Sequence, residues 1–164
     1  AKFVKNIHVT SIDTSEESLE VARLNAKVHQ VEGIVTFLRM DVFEPVDQLL
    51  LRRFDVLVSN PPYVSKVDWE GLQLEVRKYE PRAATSDWRD GYEFFRRIVE
   101  LAPYLLANGG RVAVEVGFGQ SDSVSAMMQN AGLSAISVVA DLQGVPRVVM
   151  GTCHSMVRNP APLN

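Results

Sequence analysis

The stretch "RFDVLVSNPPYVS", residues 53–65, joins an apolar run to a stiff polar turn. The run is short and rich in Val and Leu, which is typical of a buried β-strand. Asn60 ends this strand, and two prolines follow it. Because proline fixes φ and has no backbone N–H, the strand cannot continue, and Pro61 also keeps Asn60 out of helical geometry. The pattern predicts a rigid turn that points the Asn60 side chain in one direction.

The predicted turn carries groups that can hold a planar amide or amino group. The Asn60 side-chain oxygen accepts one N–H, and a neighbouring backbone carbonyl accepts the other. Tyr63 offers an aromatic face on which a flat substrate group can stack. Such a site aims a nitrogen lone pair by positioning and needs no strong base. The alternative interpretation is a plain proline-rich turn with Tyr63 in the core.

Around this turn, apolar runs alternate with helical patterns, which indicates an α/β sheet. The glycine pair at 109–110 is expected to end the second long helix. The predicted strands occupy residues 6–13, 33–41, 53–59 and 111–117, followed by two strands within 134–153 that a turn at 142–146 joins. The predicted helices occupy residues 14–30, 91–107 and 120–132, with a short one near 69–78 in a long polar connection.

The first predicted helix has both a start signal and an apolar stripe. Thr14 and Glu17 have the spacing of a capping box. Leu24, Val28 and Val31 follow at helical spacing and predict one apolar face.

Four predicted strands end at or beside a polar side chain, in order Asp13, Asp41, Asn60 and Glu115. Ligands of open α/β sheets bind at the carboxyl ends of the strands. Polar residues end strands in many proteins, and we expect Glu115 to be structural. Four consecutive cases, one of which leads into the double proline, favour a ligand site.

Composition narrows the class of protein. The chain has 164 residues, a hydrophobic fraction of 46%, a charged fraction of 23% and a formal net charge of −3, as expected for one globular domain. The negative charge disfavours direct nucleic-acid binding. No apolar run has the length of a membrane span, so we expect no membrane partner. The single Cys153 excludes an internal disulfide and is expected to be structural.

The motifs resemble those of class I S-adenosylmethionine-dependent methyltransferases that act on nitrogen. "NPPY" is shared with adenine-N6 DNA methyltransferases, but other stretches are similar to the HemK/PrmC type, the protein-(glutamine-N5) methyltransferases. Those stretches are "LQLEVRKYEPRAA" (72–84), "DGYEFFRRI" (90–98), "GGRVAVEVGFGQ" (109–120) and "DLQGVPRVVMG" (141–151). The resemblance covers residues 7–152.

This resemblance implies a fold, a cofactor and a substrate. The expected fold is a Rossmann-like methyltransferase sheet with a C-terminal antiparallel strand pair, over residues 1–152, followed by a loose tail over 153–164. The expected cofactor is S-adenosyl-L-methionine. The expected substrate is a glutamine in the Gly-Gly-Gln loop of a peptide-chain release factor, which links the protein to translation termination.

The resemblance also assigns cofactor contacts residue by residue. Asp13 matches the acidic residue that accepts hydrogen bonds from the ribose hydroxyls. Asp41 matches the acidic residue near the adenine amino group, and Val42 matches the contact to the adenine ring. Asn60 is expected to border the cofactor as well as the substrate.

The expected substrate contacts cluster in the turn. Asn60 through its side chain and Pro61 through its carbonyl match the pair that holds the glutamine amide, with Pro62 beside them. Tyr63 matches the aromatic wall, so Asn60, Pro61 and Tyr63 are the expected catalytic set. Arg77 is expected to bind a substrate carbonyl or carboxylate. Glu80, which precedes Pro81, is expected to shape the substrate entrance. The alternative is a surface ion pair between Arg77 and Glu80.

One part of the family pattern is not found before Asp13. The family places a strand and a glycine-rich loop there, whereas residues 1–6, "AKFVKN", contain no glycine. "GFGQ" at 117–120 follows a different strand. We therefore expect a gap in the sheet between the strands that end at Asp13 and Asn60, with two unpaired edges, and weak cofactor binding. We expect the chain to be a fragment of a longer protein. A partner chain or a swapped strand that completes the sheet is the alternative.

Other functions stay open from the sequence. They are a ribosomal-protein glutamine methyltransferase, a DNA adenine-N6 methyltransferase, which the net charge disfavours, and an inactive truncated module. Bacterial cytoplasm is the expected location, and the mitochondrion is the alternative.

Overall fold

The computed structural model describes residues 4–47, 50–51 and 53–154. Strands and helices alternate along much of the chain, which confirms the predicted α/β class. The strands are β1 (Val9–Asp13), β2 (Val35–Arg39), β3 (Phe54–Ser59), β4 (Leu106–Glu115), β5 (Ser134–Ala140) and β6 (Pro146–Thr152). The helices are α1 (Glu16–Val28), α2 (Leu74–Tyr79), α3 (Arg82–Thr85), α4 (Glu93–Leu105) and α5 (Ser121–Asn130), with a 3₁₀ turn at Asp68–Gly71. No helix of the described residues is both long enough and apolar enough to cross a membrane.

The chain divides into two units, with the boundary between Pro45 and Val46. In the first unit β1 and β2 pair in parallel, and α1 makes the crossover that a parallel pair needs. The register runs from the Val9 and Val35 pair to the Asp13 and Arg39 pair. The two strands therefore end side by side at their carboxyl ends.

The start of α1 lies one residue later than the predicted capping box. The N-cap is Ser15, whose side chain accepts a hydrogen bond from the Ser18 N–H at 3.2 Å. Thr14 cannot take this role because the Asp13 carboxylate accepts the Ser15 N–H at 2.8 Å, which forms a turn over Thr14. The prediction that Thr14 caps the helix is wrong, although the helix itself is confirmed.

The buried face of α1 also differs from the predicted stripe. Leu19 and Ala26 are buried, whereas Leu24 and Val28 are 64% and 75% exposed. Among the residues described in this unit two strands pair, so a narrow stripe of α1 meets apolar partners. The predicted helix is confirmed, but the predicted apolar face is not the buried one. Leu19 and Ala26 form the buried face, and Leu24 and Val28 lie on an exposed face.

The second unit contains a four-stranded mixed sheet in the order β3-β4-β6-β5. β3 and β4 are parallel, and the remaining pairs are antiparallel. The predicted C-terminal antiparallel pair is thus confirmed. Asp141 closes its turn by accepting hydrogen bonds from the Val145 and Gln143 N–H groups at 3.0 and 2.9 Å. These backbone bonds, with Val145 first, lower the pKa of Asp141.

One face of this sheet forms the core with α4 and α5. The buried cluster includes Phe95, Val99, Val112, Val114, Val124, Met128 and Val149. Leu57 of β3 packs against this cluster. Its neighbours Val56 and Val58 point to the other face because side chains alternate along a strand. They are 56% and 73% exposed, so that face of β3 is open.

The junction of α4 and β4 differs from the prediction that a glycine pair ends the helix. The helix ends at Leu105, and β4 starts at once at Leu106. The glycine pair 109–110 lies inside β4, where Gly109 has a φ of +81° and the pairing with β3 shifts register. The glycines therefore serve an irregular strand. Buried Cys153 continues beyond β6 and donates its N–H to Gly110 O at 2.8 Å. Residues 155–164 of the predicted tail lie outside the described residues.

The two unpaired strand edges that the sequence predicts are present among the described residues. β1 pairs only with β2, and β3 pairs only with β4, so the strands ending at Asp13 and before Asn60 each keep one unpaired edge. What completes the sheet stays a prediction.

Candidate functional site

The first unit brings two of the predicted cofactor residues to one edge of its sheet. The Met40 N–H donates to Asp13 O at 3.1 Å, so Asp41 follows directly beside the end of β1. Both side chains are exposed. Asp13 accepts the Ser15 N–H, and Asp41 accepts the Phe43 N–H at 2.9 Å. Each carboxylate uses one oxygen in a local turn, which leaves the second for a ligand hydroxyl or amino group. Val42 beside them is half-buried.

The second unit contains the double-proline turn. Asn60 follows the last residue of β3 and is exposed, whereas Pro61 is buried and Pro62 is half-buried. Among the described residues no hydrogen bond to the Asn60 side chain is found. The side chain is thus held only through its rigid backbone, and its amide is open to a ligand.

Tyr63 combines the two roles that the sequence left open. Its ring packs against the buried cluster of the second unit. It also lies so close to Gly117 that a Cβ there would be 2.9 Å from Tyr63 Cδ2. At the same time Tyr63 lines a cavity of about 380 Å³. The ring is therefore part of the core on one side and a cavity wall on the other.

The cavity is half open to solvent, and its lining combines aromatic side chains with a few polar groups. Its lining includes Tyr63, Tyr92, Phe118, Asp68, Asp90 and Gln120. Of the predicted site residues only Tyr63 lines it. The structure does not bring Asn60, Pro61, Pro62, Arg77 or Glu80 into this lining.

Two aspartates shape the loop that forms one side of the cavity. Asp87 accepts hydrogen bonds from the N–H groups of Arg89, Gly91 and Glu93 at 2.8, 3.0 and 3.1 Å. Asp90 binds both terminal nitrogens of Arg96, at 2.9 and 2.8 Å. This bidentate bond to Arg96 holds the pKa of Asp90 below its usual range. Asp90 is therefore an ionised acceptor at the cavity.

The residues predicted at the substrate entrance lie on the surface. Arg77 is exposed on α2, and Glu80 is the exposed C-cap of that helix. Glu80 accepts a hydrogen bond from Thr85 Oγ1 at 3.3 Å. Among the described residues no ion pair joins Arg77 to Glu80, which speaks against the alternative interpretation. Glu115 is half-buried at the end of β4.

Sequence reasoning missed every residue of the cavity lining except Tyr63, including Asp90, Phe118 and Gln120. Phe118 is 84% exposed, although it is a large apolar side chain. The signal that pointed to Phe118 and Gln120 was the "GFGQ" stretch itself, whose two glycines flank an aromatic residue at the end of a strand.

Comparison with known proteins shows which proteins this chain resembles. The profile of the methyltransferase small domain matches residues 1–74. Release factor glutamine methyltransferases from Bacillus cereus and Geobacter sulfurreducens are each 40% identical, over 146 and 151 residues, which is 88% and 92% of this chain. The chain is thus similar to release factor glutamine methyltransferases over most of its own length. It spans about half the length of these curated relatives, 50% and 51%.

Solved structures agree on the methyltransferase fold. A methyltransferase from Pyrococcus furiosus aligns with a TM-score of 0.64 at 19% identity, covering 93% of this chain and 66% of that one. A SAM-dependent O-methyltransferase from Thermotoga maritima aligns with a TM-score of 0.58 at 13% identity, covering 93% and 52%. At these identities the likeness concerns the fold alone.

S-adenosylmethionine is the cofactor that the methyltransferase family implies. The exposed carboxylates of Asp13 and Asp41 at one sheet edge fit its hydroxyl and amino groups. Residues 4–8, which precede β1, contain no glycine that would let backbone approach its methionine part. The described residues thus fit the adenosine half of the cofactor.

Proposed function

We propose that this chain is the catalytic part of an enzyme that methylates a glutamine side chain in a peptide-chain release factor. The observation that carries the proposal is the turn after β3, where Asn60 presents an unbonded amide on a backbone fixed by two prolines. The 40% identity to proteins named release factor glutamine methyltransferase supports the same substrate.

In the proposed reaction, two hydrogen-bond acceptors at a fixed angle orient the substrate amide. The Asn60 side-chain oxygen accepts one N–H of the substrate amide, and the Pro61 carbonyl accepts the other. Because both N–H groups are then directed, the amide plane is set and Tyr63 can stack against it. When bound, S-adenosylmethionine supplies an electrophilic methyl group. A neutral amide is a weak nucleophile, so we infer that Asn60 and Pro61 act by orientation and by polarising the N–H bonds.

The remaining site residues take supporting roles in this proposal. Asp13, Asp41 and Val42 bind the adenosine part of the cofactor, and Asn60 borders it. Pro62 stiffens the turn. Arg77 and Glu80, both exposed, contact the release factor near the entrance. The protein then acts wherever its release factor works, in the bacterial cytoplasm or, as the alternative, in a mitochondrion.

A methyl-transfer assay with a purified release factor tests the proposal. The enzyme of which this chain is the proposed catalytic part is incubated with S-adenosylmethionine and the release factor, and the factor's peptides are analysed by mass spectrometry. We expect one added methyl group on the glutamine of the Gly-Gly-Gln loop. The matched control is a release factor with glutamate at that position, which we expect to stay unmodified. Methylation of the control at the same rate would contradict the proposal.

The same assay separates the other candidate functions. Ribosomal proteins and duplex DNA are offered as acceptors beside the release factor, each at equal concentration. Preferred methylation of a ribosomal-protein glutamine or of adenine would replace the release factor as substrate. Cofactor binding without transfer to any acceptor would favour an inactive module.

A further inference from the structure

The Gln120 side chain connects three segments that are distant in the chain. Its Nε2 donates to Tyr63 O and to Gly91 O, both at 3.1 Å, and its Oε1 accepts the Gly117 N–H at 2.9 Å. The side chain is half-buried. Two carbonyls on one side and an N–H on the other fix the orientation of the amide, because a flipped amide would face oxygen to oxygen. Gln120 thus uses both of its N–H donors and its oxygen.

The double-proline turn needs a donor from outside. Pro61 and Pro62 have no N–H, so the turn cannot stabilise itself through its own backbone donors. Its incoming end is held where β3 pairs with β4, with Ser59 opposite Val114. Its outgoing carbonyl, that of Tyr63, is held by Gln120. Beyond it the chain is held again where Val64 bonds to Thr85 and Ser86, so among the described residues Gln120 makes the side-chain bond nearest to the two prolines.

Close backbone contacts show that the arrangement around Gln120 is tight. A Cβ on Gly91 would be 2.6 Å from Tyr63 O, and a Cβ on Gly117 would be 2.8 Å from Gln120 Oε1. Both glycines are buried. The three segments therefore meet around one glutamine amide, and little space exists for the Tyr63 carbonyl to shift.

We propose that Gln120 is a positioning residue of the methyltransfer site, which fixes the turn after β3 so that Asn60 and Pro61 meet the substrate amide at one angle. The inference rests on the proposed function for its catalytic part. The bracing of the turn by Gln120 stands on the hydrogen bonds alone.

Amide hydrogen exchange tests the bracing without any substrate. The variants are Gln120→Ala and Gln120→Glu, and the control is Ser123→Ala, an exposed position in α5, the helix that starts directly after Gln120. In both Gln120 variants we expect the Val64 and Lys66 amides, which bond to Thr85 O and Arg89 O, to exchange roughly tenfold faster, as for the loss of one to two neutral hydrogen bonds. The control should match the wild type. Unchanged exchange in a folded Gln120→Glu variant would overturn the proposal.

The pH dependence of Gln120→Glu separates positioning from general support of the fold. Ionised glutamate offers no donor and faces two carbonyl oxygens, whereas the protonated form donates to one of them. We therefore expect the kcat of this variant, relative to the wild type, to rise as the pH is lowered, with its KM for the cofactor unchanged. A constant ratio across pH would contradict the positioning role. If the wild type methylates no release factor, the proposed function fails, while the exchange result still decides on the bracing.

Discussion

The two halves of the predicted site are organised by hydrogen bonds of very different range. Asp13 and Asp41 are each fixed by a backbone N–H two residues further along the chain. The turn that carries Asn60 is fixed by Gln120, which lies 57 residues from Tyr63 and 29 from Gly91. The first arrangement forms wherever its own short segment folds, whereas the second exists only once the whole second unit has folded.

This difference fits what each half has to do in the proposed reaction. The cofactor carries many hydrogen-bonding groups of its own, so exposed carboxylates in local turns are sufficient to bind it. A neutral substrate amide has to be held at one angle, which requires a rigid acceptor pair. Substitutions in the two halves should accordingly fail in different measurements.

The largest effect is expected from Asn60→Ala. The substrate amide would lose one of its two acceptors, and the removal of a single preorganised hydrogen-bonding group at a reacting centre costs roughly 100- to 1,000-fold in rate. We expect kcat for release factor methylation to fall by this factor, with little change in cofactor affinity measured by calorimetry. Because Asn60 is exposed and makes no hydrogen bond to another described residue, the unfolding midpoint should not change. A variant with normal turnover would remove Asn60 from the mechanism.

A smaller effect, in the other half, is expected from Asp13→Asn. The variant keeps an oxygen for the turn with Ser15 but loses the charge, and hydrogen bonds to charged groups contribute about 1.5–3 kcal/mol. The dissociation constant for S-adenosylmethionine should rise roughly tenfold or more. Asp141→Asn is the matched control, since Asp141 also closes a local turn through backbone N–H groups. An equal loss of affinity in both variants would show that Asp13 has no special role.

Stability rather than binding should change with Gly91→Ala. Gly91 has a φ of +81°, and its added Cβ would meet Tyr63 O at 2.6 Å. We expect a loss of about 3 kcal/mol in the free energy of unfolding, measured with urea. Gly119→Ala is the control, because Gly119 has a φ of +79° but no atom within 4 Å of the added Cβ. Its loss should be about 1 kcal/mol. Equal losses would mean that the contact with the turn is not tight.

The features that depend on short segments could be predicted from the sequence, whereas those that depend on distant segments could not. The strands come from patterns a few residues long, and the structure shows them near their predicted positions, apart from the earlier start of β4. Asp13, Asp41 and Asn60 follow from the same patterns, and their roles stay predictions. The role of Gln120 was missed because no local pattern links it to Tyr63. The buried face of α1 and the glycines inside β4 were predicted wrongly for a related reason: the partners that decide them come from other elements.

The smallest expected effect concerns Asp90 at the rim of the cavity. The Arg96 guanidinium lowers the pKa of Asp90, so the stabilisation by this pair is complete above the carboxyl's ordinary pKa of about 4 and is lost as the pH falls through its lower value in the folded protein. Both side chains are largely exposed, which limits the contribution to about 0.5 kcal/mol. Urea unfolding of the wild type and of Asp90→Asn should differ by this amount at neutral pH and converge as the pH falls below the carboxyl's ordinary pKa. If the stability difference between the two proteins already disappeared near neutral pH, the pKa of Asp90 would be raised rather than lowered. Asp90 would then be a candidate for proton transfer at the cavity.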